Sequence, residues 1–168
     1  AAAVALEAGP AGSSAGLLAA RFASYGDHHR LARLEAGGTR IAAASGYAAL
    51  RAGGRFHMDA FAVFKAAARR LPPLLAALYA EAGTSADAIA AVVPHQASAP
   101  ALDHARRMFA PREDRVVDIF RERGNQIAAS IPTALATLMD SGRVGPGDQL
   151  LLAGTAAGIS IGGLILQL

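Results

Sequence analysis

Two apolar runs close the chain, Gln149–Ala153 and Ile159–Leu168, and only Gly154-Thr155-Ala156-Ala157-Gly158 separates them. A parallel connection needs a crossover of a dozen residues or more, so these runs pair as an antiparallel hairpin. Upstream, Gly145-Pro146-Gly147-Asp148 predicts a turn, and the apolar spacing from about Ile127 to Ser141 predicts a helix with an internal proline, Pro132, ended by Gly142. Arg115–Ile119 is a strand candidate. A helix is expected from Ser98 to about Phe109, with Leu102, Ala105 and Phe109 inward and Arg106 and Arg107 outward. Before it, Ala91–Pro94 reads as a short apolar strand that ends at His95, preceded by a short helix at Ser85–Ala90.

The strongest helical pattern runs from Asp59 to Ala82. Asp59 is a good N-cap, because its carboxylate accepts a first-turn N–H that has no partner within the helix. Phe61, Phe64, Ala68, Leu71, Leu75, Leu78 and Ala82 fall at spacings of three and four and predict one buried stripe. Pro72-Pro73 is expected to kink or split the helix, and Gly83 supplies a left-handed stop. Residues 1–8 read as an apolar strand followed by a Gly/Pro/Ser loop, 16–25 as its partner, and 26–54 as a long Gly-, His- and Arg-rich loop. An apolar run with no lead-in suggests a chain entered in mid-fold. The β-α-β-α-β-α-β-β order argues for a layered α/β domain.

Composition narrows the function. With 53% hydrophobic and 17% charged residues, the chain is not of the disordered class. No apolar stretch reaches the 18 residues a membrane-spanning helix needs, and no leader is visible, so the expectation is a cytoplasmic protein without a membrane partner. Cysteine is absent, so this polypeptide offers no disulfide, thiolate metal site or cysteine nucleophile. Its net charge is only +3, Lys65 is the single lysine, and there is no tryptophan, which argues against nucleic-acid binding.

Among the five histidines, His28, His29, His57 and His104 read as ordinary loop or helix-surface residues, and no metal site is expected. His95 differs, because it stands at the carboxyl end of a predicted strand, the edge at which open α/β sheets bind ligands. Asn125, the only asparagine, lies in a turn where it is either a simple cap or a functional group. The glycines between 154 and 163 precede a strand and not a helix, so they do not form a dinucleotide loop.

Taken together, Val93-Pro94-His95-Gln96-Ala97, Gly124-Asn125 with Ala128-Ala129-Ser130-Ile131-Pro132-Thr133-Ala134-Leu135, Asp140-Ser141-Gly142-Arg143 and the terminal hairpin resemble the C-terminal half of ketoacyl-acyl-carrier-protein synthase III. Met58-Asp59 before the long helix adds to the likeness. That family is one of the thiolase-like condensing enzymes. The resemblance implies a mixed five-stranded sheet with helices on both faces, residues 1–58 ending an N-terminal half and its connecting loop, and 59–168 forming the C-terminal domain. It also implies a decarboxylative Claisen condensation of acyl and malonyl thioesters. His95 and Asn125 are then the catalytic donors to the thioester enolate, and a backbone N–H at Ala157 serves as an oxyanion donor.

The same resemblance implies no cofactor beyond the acyl-coenzyme A or acyl-carrier-protein phosphopantetheine substrate, and a homodimer of the complete enzyme. Its nucleophilic Cys belongs to an N-terminal half that precedes this sequence, so that half is an expected partner. Arg106 and Arg107 are candidates for carrier-protein docking, with Pro100 standing where a basic residue often occurs. Arg123, Ser98 and Thr155 depart from the family's usual residues and alter the pocket wall. The alternative is a noncatalytic thiolase-fold partner subunit that keeps the fold for interaction alone.

Overall fold

The computed structural model describes residues 1–109 and 112–168. The chain divides into two compact units. One comprises Ala1–Phe22, Pro72–Gly154 and Gly162–Leu168, and the other Ala23–Leu71 and Thr155–Ile161.

The first unit holds most of a four-stranded sheet. Its strands are β1 (Gly16–Ser24), β4 (Ile89–Pro94), β5 (Gln149–Ala156) and β6 (Ser160–Gln167), in the order β1-β6-β5-β4. Strands β4 and β5 run parallel, with Val93 opposite Leu152. β5 and β6 form the expected hairpin: Gly147 N–H donates to Leu168 O and Leu168 N–H to Asp148 O at its open end. Val116 joins the free edge of β4 through one parallel bridge to Val92, giving the sheet a minimal fifth position.

Helices cover both faces. Gly163 of β6 approaches Leu74 and Leu78 of α2 (Ala60–Ala82), so that helix lies on one side. On the other, Ala134 and Leu138 of α5 (Ser130–Asp140) pack with Ala91, Val93, Leu150 and Leu152. With both faces covered, β4 and β5 carry continuous buried runs, Ala91–Val93 and Leu150–Ala153, whereas β6 alternates between buried and half-buried residues. Helix α3 (Ala99–Met108) is capped by Ser98 Oγ, which accepts from Ala101 N–H at 3.3 Å, and it buries Leu102 as expected.

In the second unit, a short ribbon pairs β2 (Ala32–Arg33) with β3 (His57–Met58), and α1 spans Tyr47–Gly53. Gly53 is pressed against Ala36 and Ile41, where a side chain would collide. The region expected as a long loop, 26–54, therefore carries this ribbon strand, this helix and two 3-10 turns. Asp59 caps α2 as expected, accepting from Ala62 N–H at 2.9 Å, and Gly83 ends it at φ +64°.

Four further expectations need correction. Residues 1–8 form no strand and are exposed throughout, because no neighbour offers them a ladder. Pro72-Pro73 does not split α2, which runs unbroken through both. Its buried stripe is shifted: Leu75 and Leu78 are buried as expected, but Ala67 and Leu74 join them while Phe61 is 74% exposed. Arg115–Ile119 is not a ladder strand; Glu113–Arg115 is a 3-10 turn and only Val116 bridges. Among the described residues, no helix is long and apolar enough to cross a membrane.

Candidate active site

His95 is placed by the sheet itself. Its N–H donates to Ala153 O at 2.8 Å, continuing the β4–β5 ladder one residue past the strand end. Ala97 N–H then donates to His95 O at 2.9 Å, and this tight turn leads the chain away from the sheet. Gly154 lies alongside: a Cβ there would stand 3.5 Å from His95 Cβ and 3.1 Å from Ile131 Cδ1. The absent side chain leaves room for the ring. His95 is half-buried, and burial lowers its pKa below the ordinary histidine value, which favours the neutral imidazole.

Asn125 reaches the same place from a different loop. Its Nδ2 donates to Ala97 O at 3.3 Å, two residues past His95, and its Oδ1 accepts from Ile127 N–H at 2.8 Å. A carbonyl only accepts and a backbone N–H only donates, so these partners fix which end of the carboxamide is which. One Nδ2 hydrogen is used internally, and the second has no partner among the described residues. Asn125 is exposed, so that hydrogen is available as an outward donor.

The loop holding Asn125 is strained. Ile127 has φ +55°, the only non-glycine residue at positive φ among those described, and it is 77% exposed. A β-branched residue there costs roughly 1–3 kcal/mol, offset here by the hydrogen bond to Asn125 and by its neighbours. Ser130 Oγ also accepts from Gln126 N–H at 3.1 Å.

Residues 79–168 match the family described as 3-oxoacyl-[acyl-carrier-protein (ACP)] synthase III C terminal. The chain belongs to that family. It is 31% identical over 155 residues to the beta-ketoacyl-[acyl-carrier-protein] synthase III of Brucella anthropi, covering 92% of this chain and 45% of that one. To the enzyme of the same name from Neisseria meningitidis serogroup B it is 37% identical over 110 residues, 66% of this chain and 34% of that one. The solved 3-oxoacyl-(acyl carrier protein) synthase III of Pseudomonas aeruginosa superposes with a TM-score of 0.79 at 30% identity, over 95% of this chain and 46% of that one. The fold is thus the thiolase-like one, and the chain spans about half the length of the curated relatives it matches.

Other expected residues of this synthase III-type chain fall in several settings. Ala157 is exposed in the turn between β5 and β6, within the second unit. Arg106 on α3 is engaged internally, donating to Asp118 at 2.6 Å and Asp103 at 3.1 Å; the hydrogen bond to Asp118 raises its pKa. Arg107 is exposed. Among the described residues, no three His, Asp or Glu side chains converge as a metal site. Gly154 and Ile127 were not singled out as site residues by the sequence. A glycine right after a predicted strand beside a candidate histidine was a usable signal for the first, whereas nothing in the sequence marks the strain at Ile127.

Proposed function

We propose that this chain is the C-terminal part of an acyltransferase of the 3-oxoacyl-acyl-carrier-protein synthase III type, with residues 59–168 as its C-terminal domain and 1–58 as the end of the N-terminal half and the connecting loop. The observation that carries this reading is the anchored Asn125 carboxamide, its nitrogen tied to Ala97 O two residues from the half-buried His95. In the reaction, the bond between the malonyl carboxylate and its α-carbon breaks, carbon dioxide leaves, and the electron pair passes to the thioester oxygen as an enolate. An imidazole N–H from His95 and the Asn125 amide stabilise that charge, with the Ala157 N–H as oxyanion donor in the second half-reaction. A neutral imidazole suits the task, because an imidazolium would hand its proton to the carbanion and quench it. The carbanion then attacks an acyl thioester on a Cys, whose thiolate leaves.

That Cys belongs to an N-terminal part outside this sequence, a reading supported by the chain's coverage of under half of its relatives. The substrates are thioesters of coenzyme A or of an acyl carrier protein, and no further cofactor is needed. Arg107, exposed on α3 while Arg106 is held by Asp103 and Asp118, is the better carrier-docking candidate. The complete enzyme is a cytoplasmic homodimer.

The test joins this chain to a Cys-bearing N-terminal part and measures the two half-reactions separately. His95→Ala and Asn125→Ala should each lower malonyl-thioester decarboxylation by about 10²–10³ while acyl transfer to the Cys persists. Equal loss of both half-reactions overturns these roles, and no condensation with any such part favours the noncatalytic partner subunit.

A further inference from the structure

Gln96 is fully buried, yet it carries a carboxamide between two loops that each deliver a donor. Its Nε2 donates to Pro94 O at 2.8 Å and to Val117 O at 3.2 Å, and its Oε1 accepts from Ile119 N–H at 2.9 Å. As with Asn125, the partners fix the amide's orientation, and both of its N–H groups are used. These bonds begin where the backbone ladder stops. Val117 N–H still bonds Val92 O at 2.9 Å, and beyond that point the side chain of Gln96 replaces a neighbouring strand.

The result is a closed circuit. From Ile119 the chain turns through α4 (Phe120–Arg123), with Arg123 N–H donating to Ile119 O at 2.9 Å. Gly124 follows at φ +64°, and Asn125 returns to Ala97 O, adjacent to Gln96. The position of Asn125 relative to His95 is thus set at one end by Ala97 and at the other by Gln96.

We infer that Gln96 is a positioning residue: by tying Pro94 to Val117 and Ile119, it sets the spacing of His95 and Asn125 without touching substrate. The inference rests on the proposed roles of those two residues for its catalytic meaning, but its geometric content is independent of them. Gln96→Met keeps the length and volume of the side chain and removes all three hydrogen bonds.

The test is NMR hydrogen exchange and pH titration on the full 168-residue chain, without substrate. In Gln96→Met, exchange of the Asn125 carboxamide should quicken about tenfold or more and the His95 titration should move up toward the ordinary histidine value, while Leu150 and Ile165 amides keep their protection. Unchanged Asn125 and His95 signals, or protection lost equally at Leu150 and Ile165, overturn the inference and leave Gln96 a core residue only. A reading that needs no variant is available in the parent chain. There the Ile119 N–H and the Gln96 carboxamide that accepts from it should open together, with protection within roughly a factor of three, and independent opening overturns the inference. Because no substrate is used, these outcomes stand apart from success or failure of decarboxylation.

Discussion

The two candidate donors are held by different means. His95 extends a buried strand and is fixed by a backbone bond to Ala153, so its position follows from the register of β4 on β5. Asn125 sits on an exposed loop and is fixed by side-chain bonds to Ala97 and Ile127, with the Gln96 carboxamide behind it. A strand end needs only its ladder to place a side chain, whereas a loop needs a dedicated set of polar partners. The strain at Ile127 and the buried amide of Gln96 are the cost of making a loop as well defined as a strand end.

The largest expected effect treats the two alike: despite their different supports, alanine at His95 or Asn125 should lower decarboxylation by the same order, about 10²–10³, if both face one enolate oxygen. Losses differing by more than about tenfold would break the parity and assign the main stabilisation to one donor.

Acid separates them. Burial holds the His95 pKa below its unfolded value, so above about pH 6.5 both folded and unfolded forms are neutral and its share of stability is complete. As pH falls below that point, the unfolded chain takes up a proton that the folded one resists, and stability declines toward the folded pKa. Denaturant unfolding across this window should show the decline in the parent and lose this component in His95→Gln. Asn125 does not titrate, and its substitution should leave the slope unchanged.

The smallest effect concerns the loop alone. Ile127→Gly removes the positive-φ strain while keeping the N–H that Asn125 needs. Relief of roughly 1–3 kcal/mol set against a glycine entropy cost of about 1 kcal/mol leaves a net gain near 1 kcal/mol by denaturant unfolding. A loss of stability would show that the isoleucine side chain is itself anchored.

The same contrast explains what was legible in the sequence. The long helix was readable from Asp59, its apolar spacing and Gly83, because caps and stops act locally. Its buried face was less so, since periodicity identifies a stripe but not which end of it meets a neighbour; hence Phe61 is exposed and Leu74 buried. The 149–168 hairpin was readable because a short connection permits one pairing only. Residues 1–8 are as apolar as many strands, but they pair with no strand among the described residues, and a strand requires a partner as well as a composition. His95 was visible at a strand end, and Asn125 was visible only through its motif. Gln96 gave no sign of its burial, because the Val117 and Ile119 groups that receive it lie more than twenty residues away.

The most direct test of the donor pair is Asn125→Asp in the enzyme joined to its Cys-bearing part, with decarboxylation and acyl transfer measured separately. The aspartate keeps an oxygen for Ile127 N–H and the shape of the side chain, but ionised it has no hydrogen to give. Decarboxylation falling by about 10²–10³ with acyl transfer intact is the predicted result. Decarboxylation at the parental rate would contradict it.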